Sequence, residues 1–156
     1  MIGLFRCFII FCFATGSTLV FSSETESTFK LIHGKQINGY TGKAVVINDD
    51  AIFVGDLVDG KPSGNGVMIT DDKEVAYGRW VDASLEGSGA IISLHPRTVT
   101  AGKMHLGSPE GNGVLMFNDI AYEGPFKLGI PHGKGKCLKG INSVDCEYVE
   151  GKRKEQ

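Results

Sequence analysis

Past residue 50 the chain alternates apolar and polar positions over short stretches, each cut off by glycine or by a small polar cluster. Ile52 to Val58 and Gly66 to Thr70 carry the period-two pattern and β-branched content of strands. The Gly, Pro and Ser residues between them predict a hairpin whose turn occupies the whole joining segment. Asn48-Asp49-Asp50, Asp71-Asp72-Lys73, His95-Pro96-Arg97 and Asn118-Asp119 supply turn chemistry between one hairpin and the next. The predicted path is hairpin after hairpin, an antiparallel meander growing in one direction.

Glycines punctuate this pattern at fixed offsets. Gly55, Gly60, Gly64 and Gly66 lie at 0, +5, +9 and +11, and the offsets return at Gly102, Gly107, Gly111 and Gly113 and at Gly124, Gly129, Gly133 and Gly135. Gly78, Gly87 and Gly89 keep three of the four, with Ala83 in the remaining place. Weaker copies flank these: Gly34 and Gly39 start one that is a residue short at Gly42, and Cys146 with Gly151 starts another. Terminal repeats are commonly atypical. Anchors at 34, 55, 78, 102, 124 and 146 cover the chain after its leader with one repeat domain over 31–151.

Phe53-x-Gly55-x-Leu57-x-x-Gly60-x-x-x-Gly64-x-Gly66 and Tyr122-x-Gly124-x-Phe126-x-x-Gly129-x-x-His132-Gly133-x-Gly135 resemble MORN repeats. The resemblance implies an all-β fold, an elongated, twisted single-layer antiparallel sheet of stacked hairpins. It also implies a role in scaffolding, junctions or membrane association. Ala76, Ala83, Thr100 and Gln36 depart from the pattern and interrupt the aromatic groove that it implies.

Stacking turns equivalent positions into columns. Alternation sends Leu57, Trp80, Met104, Phe126 and Tyr148 to one face, beside a second column of Phe53, Ala76, Thr100, Tyr122 and Val144, with the repeat glycines between. Two readings of this stripe stand side by side. It is the packed face that a sheet needs for stability, or, with no second layer to cover it, part of it stays open as a partner surface. On the second reading Phe53, Leu57, Trp80, Met104, Tyr122, Phe126 and Tyr148 bind a protein partner, and a lipid or another small apolar ligand is the alternative occupant.

The amino terminus has a different pattern. One positive charge within Met1–Arg6 precedes an uncharged apolar run from Cys7 to Phe21, which polar Ser22, Ser23 and Glu24 end. The run is shorter than the ~20 residues of a membrane span, so a cleaved export signal is expected, cut after Ser22 or Ser23; an uncleaved anchor is the alternative. A short polar leader over 23–30 follows, and the protein is expected to be secreted or periplasmic. Phe11 before Cys12 excludes a lipoprotein signal. Arg6 leaves with the leader, so 15 basic residues face 18 acidic ones, a balance that argues against nucleic acid or anionic lipid as a general partner. Lys152, Arg153 and Lys154 form a basic tail over 152–156, expected to be solvated.

Cys137 and Cys146 remain after export, and an even pair in an exported chain predicts a disulfide. A two-residue turn at Ile141-Asn142 would place Cys137 directly opposite Cys146, with Cα atoms about 4.5 Å apart.

No catalytic grouping is legible. His33, His95, His105 and His132 lie in separate turns and strands, so a hydrolase using His132 or His105 is the weakest reading. Gly129 to Lys136 lacks the spacing of a phosphate loop. The Asp pairs at 49/50 and 71/72 lack the alternating oxygen ligands of a calcium loop. No cofactor or metal is expected.

Overall fold

The computed structural model describes residues 28–155; the expected signal and its cleavage site lie outside the described residues. Within them the chain forms one open sheet of 13 strands. β1 (Lys30–His33) and a 3-10 turn (Gly34–Ile37) lead to β2 (Gly42–Ile47). Then follow β3 (Ala51–Val58), β4 (Lys61–Thr70), β5 (Glu74–Val81), β6 (Ser84–Leu94), β7 (Arg97–His105) and β8 (Ser108–Phe117). β9 (Ile120–Lys127), the short β10 (Ile130–Pro131), β11 (Gly133–Lys139), β12 (Asn142–Val149) and β13 (Lys152–Arg153) complete it. Spatial order follows chain order, with β10 beside β9 and off the main path. The stacked-hairpin architecture expected from the repeats is the observed one.

Each glycine of the repeat answers a separate physical requirement. The +5 position is the second residue of a two-residue turn in which both residues have positive φ: Asp59-Gly60, Asp82-Ala83, Leu106-Gly107, Leu128-Gly129 and Glu150-Gly151. Such turns match the right-handed twist of the flanking strands. The +9 position is the middle of a bulge. Ser63, Gly64 and Asn65 stand opposite Asp56 alone, because pairing shifts from Gly55↔Gly66 to Leu57↔Pro62. The shift recurs at Gly78/Trp80 and Gly102/Met104. Asp56 fills its own bulge by accepting the Asn65 N–H at 3.2 Å. The turn expected across residues 59–65 is therefore two residues long, and the Pro-Ser-Gly segment belongs to β4.

Two rows of backbone bonds tie hairpin to hairpin. On the turn side the N–H of Ala83, Gly107, Gly129 and Gly151 donates to the carbonyl of Pro62, Leu85, Pro109 and Pro131, respectively. On the loop side Asp71, Leu94 and Asn118 donate to Asp50, Lys73 and Arg97.

The first repeat departs from the meander. β1 pairs with β2 in parallel, and residues 34–41 form the crossover that a parallel neighbour requires. Ile32, paired with Val46, is buried there and closes that end of the core. At the other end the basic tail is exposed, as expected, and also adds the edge strand β13, where Arg153 pairs with Tyr148 and Lys152 with Val149.

The disulfide between Cys137 and Cys146 is present, with Cα atoms 5.8 Å apart, but the expected register is not. Cys137 pairs with Val144, Cys146 pairs with Gly135, and Lys139 pairs with Asn142, so the turn is Gly140-Ile141. Gly140 takes φ +61 at the first turn position, which a glycine tolerates better than Ile141, the residue that a turn at 141–142 would have put there. The bond therefore runs diagonally across the β11–β12 pair.

Candidate functional site

The 0 and +11 glycines line up across the sheet. Register pairs Ala44 with Gly55, and then joins Gly55, Gly66, Gly78, Gly89, Gly102, Gly113 and Gly124 in an unbroken ladder. A Cβ added to Gly124 would lie 3.0 Å from the Cα of Gly135, and Gly135 pairs with Cys146. Large side chains lie flat over this bare backbone. A Cβ at Gly55 would come 2.8 Å from the Phe53 ring, and one at Gly135 would meet the Tyr122 ring at 2.6 Å. Leu85 covers Gly78 and Gly89 in the same way. Glycine is required here for close approach, and at Gly78 and Gly102, which hold φ +148 and +150, for backbone conformation as well.

The stripe singled out as a partner surface is thus the core. Phe53, Leu57, Trp80, Met104, Tyr122 and Phe126 are all at most 5% exposed; only Tyr148 is half-buried. Of the two readings the packed face is the observed one and the open stripe is corrected: the Phe53 and Tyr122 rings fold across neighbouring glycines, and Leu57, Trp80, Met104 and Phe126 pack in the same two clusters. Phe53 and Trp80 meet edge-on with centroids 5.6 Å apart, and Tyr122 contacts Phe126 at 5.8 Å and Tyr148 at 4.7 Å. Polar tips are satisfied: the Trp80 indole N–H donates to the Gly66 carbonyl at 3.0 Å and the Tyr122 hydroxyl to the Pro125 carbonyl at 3.2 Å. Burial, with Tyr148 nearby, holds the Tyr122 pKa above the usual phenol value.

The interruption expected at Thr100 is real. Around Gly102 the nearest atoms to an added Cβ belong to backbone. The core divides there into one cluster from Ile32 to Met104 and a second of Tyr122, Phe126 and the disulfide, with Leu115 and Tyr148 packed against it.

The opposite face carries what the sequence reading passed over. Ile47 pairs with Ile52, Ile52 with Ile69, Ile69 with Val75, and Val75 with Ile92. The row continues through Val99, Met116, Ala121 and Leu138. Beside it Val45, Val54, Val67 and Tyr77 are joined to Ala90, Ala101 and Val114. This second row then turns charged at Glu123, Lys136 and Asp145. Many of these side chains are open to solvent, Tyr77 by 61% and Ile69 by 43%. The signal was legible in runs apolar at consecutive positions, such as Ala90-Ile91-Ile92 and Val114-Leu115-Met116, which put apolar residues on both faces.

Histidines do not converge. His105 Nδ1 lies 3.3 Å from a Glu86 carboxylate oxygen, whose other oxygen accepts the Leu106 N–H at 2.8 Å. That bond first, and His105 after it, hold the Glu86 pKa below the ordinary carboxylate value. Among the described residues no three His, Cys, Asp or Glu side chains gather as a metal would need. None of the helical segments described is long and apolar enough to cross a membrane.

Residues 53–74 and 122–143 match the family model of the MORN repeat. The chain carries MORN repeats. Both matched segments begin at the ring that lies over the glycine ladder and run on to the following inter-repeat turn. No curated protein matches the chain. MORN repeats are generally protein- or lipid-binding modules and typically non-catalytic. The two rows facing away from the MORN core leave apolar side chains exposed.

Proposed function

We propose that this chain is an exported, non-enzymatic interaction module that binds a protein partner through the open face of its MORN sheet. The observation that carries the reading is the pair of solvent-exposed apolar rows on a sheet that no second layer covers among the described residues. Contiguous apolar surface of this extent marks an interaction site on a soluble domain. Binding is assigned to Ile69, Tyr77, Ile92 and Met116 in place of the buried stripe. A protein partner fits better than a lipid surface, because the acidic balance of the chain gives anionic lipid little attraction.

The test is crosslinking capture from the native compartment with wild type and with Ile69→Lys or Ile92→Lys. Both positions are exposed, so the fold tolerates the change. Loss of the captured protein is expected, and undiminished capture refutes the assignment. Amino-terminal sequencing of the exported product checks the compartment: it should start at Ser23 or Glu24, and a membrane-integral product that retains Met1 contradicts export.

A further inference from the structure

We infer that the occupant of the open face is the same face of a second copy of this chain, the two sheets closing as the layers of a two-fold sandwich. The inference rests on the reading of that face as a docking surface, and goes beyond it by naming what docks.

The surface has the character of a sandwich interior. Tyr77 and Met116 apart, the two rows are Val, Ile, Ala and one Leu, the flat packing that opposed sheets use at about 10 Å separation. Each strand position covers about 4.8 by 6.8 Å, so the two rows present roughly 500 Å² of each copy. Two copies then enclose about 1,000 Å², the threshold of a specific interface.

Charge on the two margins selects the arrangement. On the loop margin Asp49, Asp50, Asp71 and Asp72 are exposed beside Lys73 and Arg97, and none of these forms an ion pair among those described. On the turn margin Arg79 and Lys103 likewise form none, while Lys43 is paired with Asp56 at 3.0 Å. A two-fold axis along the direction of strand stacking keeps each strand over its own copy and exchanges the margins. Arg79 on β5 then faces the β4–β5 loop of the partner, where Asp71 and Asp72 outweigh Lys73, twice per dimer. An axis along the strands would instead set aspartate margin against aspartate margin. Complementarity therefore favours the first axis.

Sedimentation velocity of the full chain, as exported by the producing cell, tests this over roughly 1 to 200 μM, the range in which an interface of modest area associates. Wild type should convert from monomer to dimer. Ile69→Lys places a charge on both sides of the two-fold and should weaken association at least ~100-fold with unchanged circular dichroism. Arg79→Asp should weaken it by about 10-fold, and adding Asp71→Arg and Asp72→Arg to the same chain should restore it. A wild type that stays monomeric overturns the inference, as does a dimer indifferent to Ile69→Lys or an Arg79→Asp defect that the reversed charges do not rescue. If wild type is monomeric yet Ile69→Lys loses a captured protein, the second copy is wrong and the docking face stands. If capture is also unchanged, the docking face itself is wrong.

Discussion

Replacing Ala83 by glycine should stabilise this protein, although it removes a methyl group and makes no new contact. Ala83 holds φ +69 in the turn between β5 and β6, where Gly60, Gly107, Gly129 and Gly151 hold φ between +74 and +83. An L-residue pays about 1–2 kcal/mol for the left-handed conformation. Against that gain, glycine adds freedom to the unfolded chain and returns roughly 0.4–1 kcal/mol. The net expectation is about 0.5–1 kcal/mol of added stability, a rise of roughly 2–4 °C in Tm for a domain of this size. The backbone bond from residue 83 to the Pro62 carbonyl at 2.9 Å is available to either residue, so the difference isolates the dihedral. Urea unfolding and calorimetry of Ala83→Gly measure it. The reciprocal change, Gly107→Ala, introduces a Cβ with no atom within 4 Å and should cost about the same amount. A neutral or destabilising Ala83→Gly would refute the claim that the +5 glycine is selected by its backbone conformation.

The ladder glycines other than Gly78 and Gly102 should respond differently, since their requirement is space alone. A Cβ on Gly113 would lie 2.7 Å from the Ala101 carbonyl oxygen, so Gly113→Ala is expected to lose about 2 kcal/mol or more in urea unfolding, well beyond Gly107→Ala. The disulfide closes a short loop, with a sequence separation of 9. Cys137→Ser with Cys146→Ser should therefore cost at most about 2–3 kcal/mol, and intact mass with alkylation before and after reduction should show two thiols only after reduction. Glu86 has its folded pKa lowered by the Leu106 N–H, so its contribution is present above the ordinary carboxylate range and is lost as pH falls through the lowered value. Unfolding between about pH 6 and about pH 3 should show a loss that Glu86→Gln flattens, because the amide still accepts the bond but does not titrate.

The fold was largely written in local pattern. Glycines at 0, +5, +9 and +11 recur because each repeat meets the same two-residue turn, the same bulge and the same close approach of neighbouring backbones, all of which act within one hairpin and its neighbour. The paired cysteines were likewise legible, since a disulfide needs only proximity across adjacent strands. Their register was not: one residue of difference in the turn decides whether Cys146 faces Cys137 or Gly135, and the φ of Gly140 decided it. The parallel β1 was hidden because the pairing of an edge strand depends on which neighbour offers Ile32 a buried place. The largest reversal concerns the two faces of the sheet. Alternation identifies which residues share a face, but not which face is covered when both are apolar. Tertiary packing settled that: Phe53, Leu85, Tyr122 and their neighbours fold flat over bare glycine backbone and bury one another, whereas the Val and Ile rows behind them stand over backbone bearing full side chains, with nothing among the described residues to cover them.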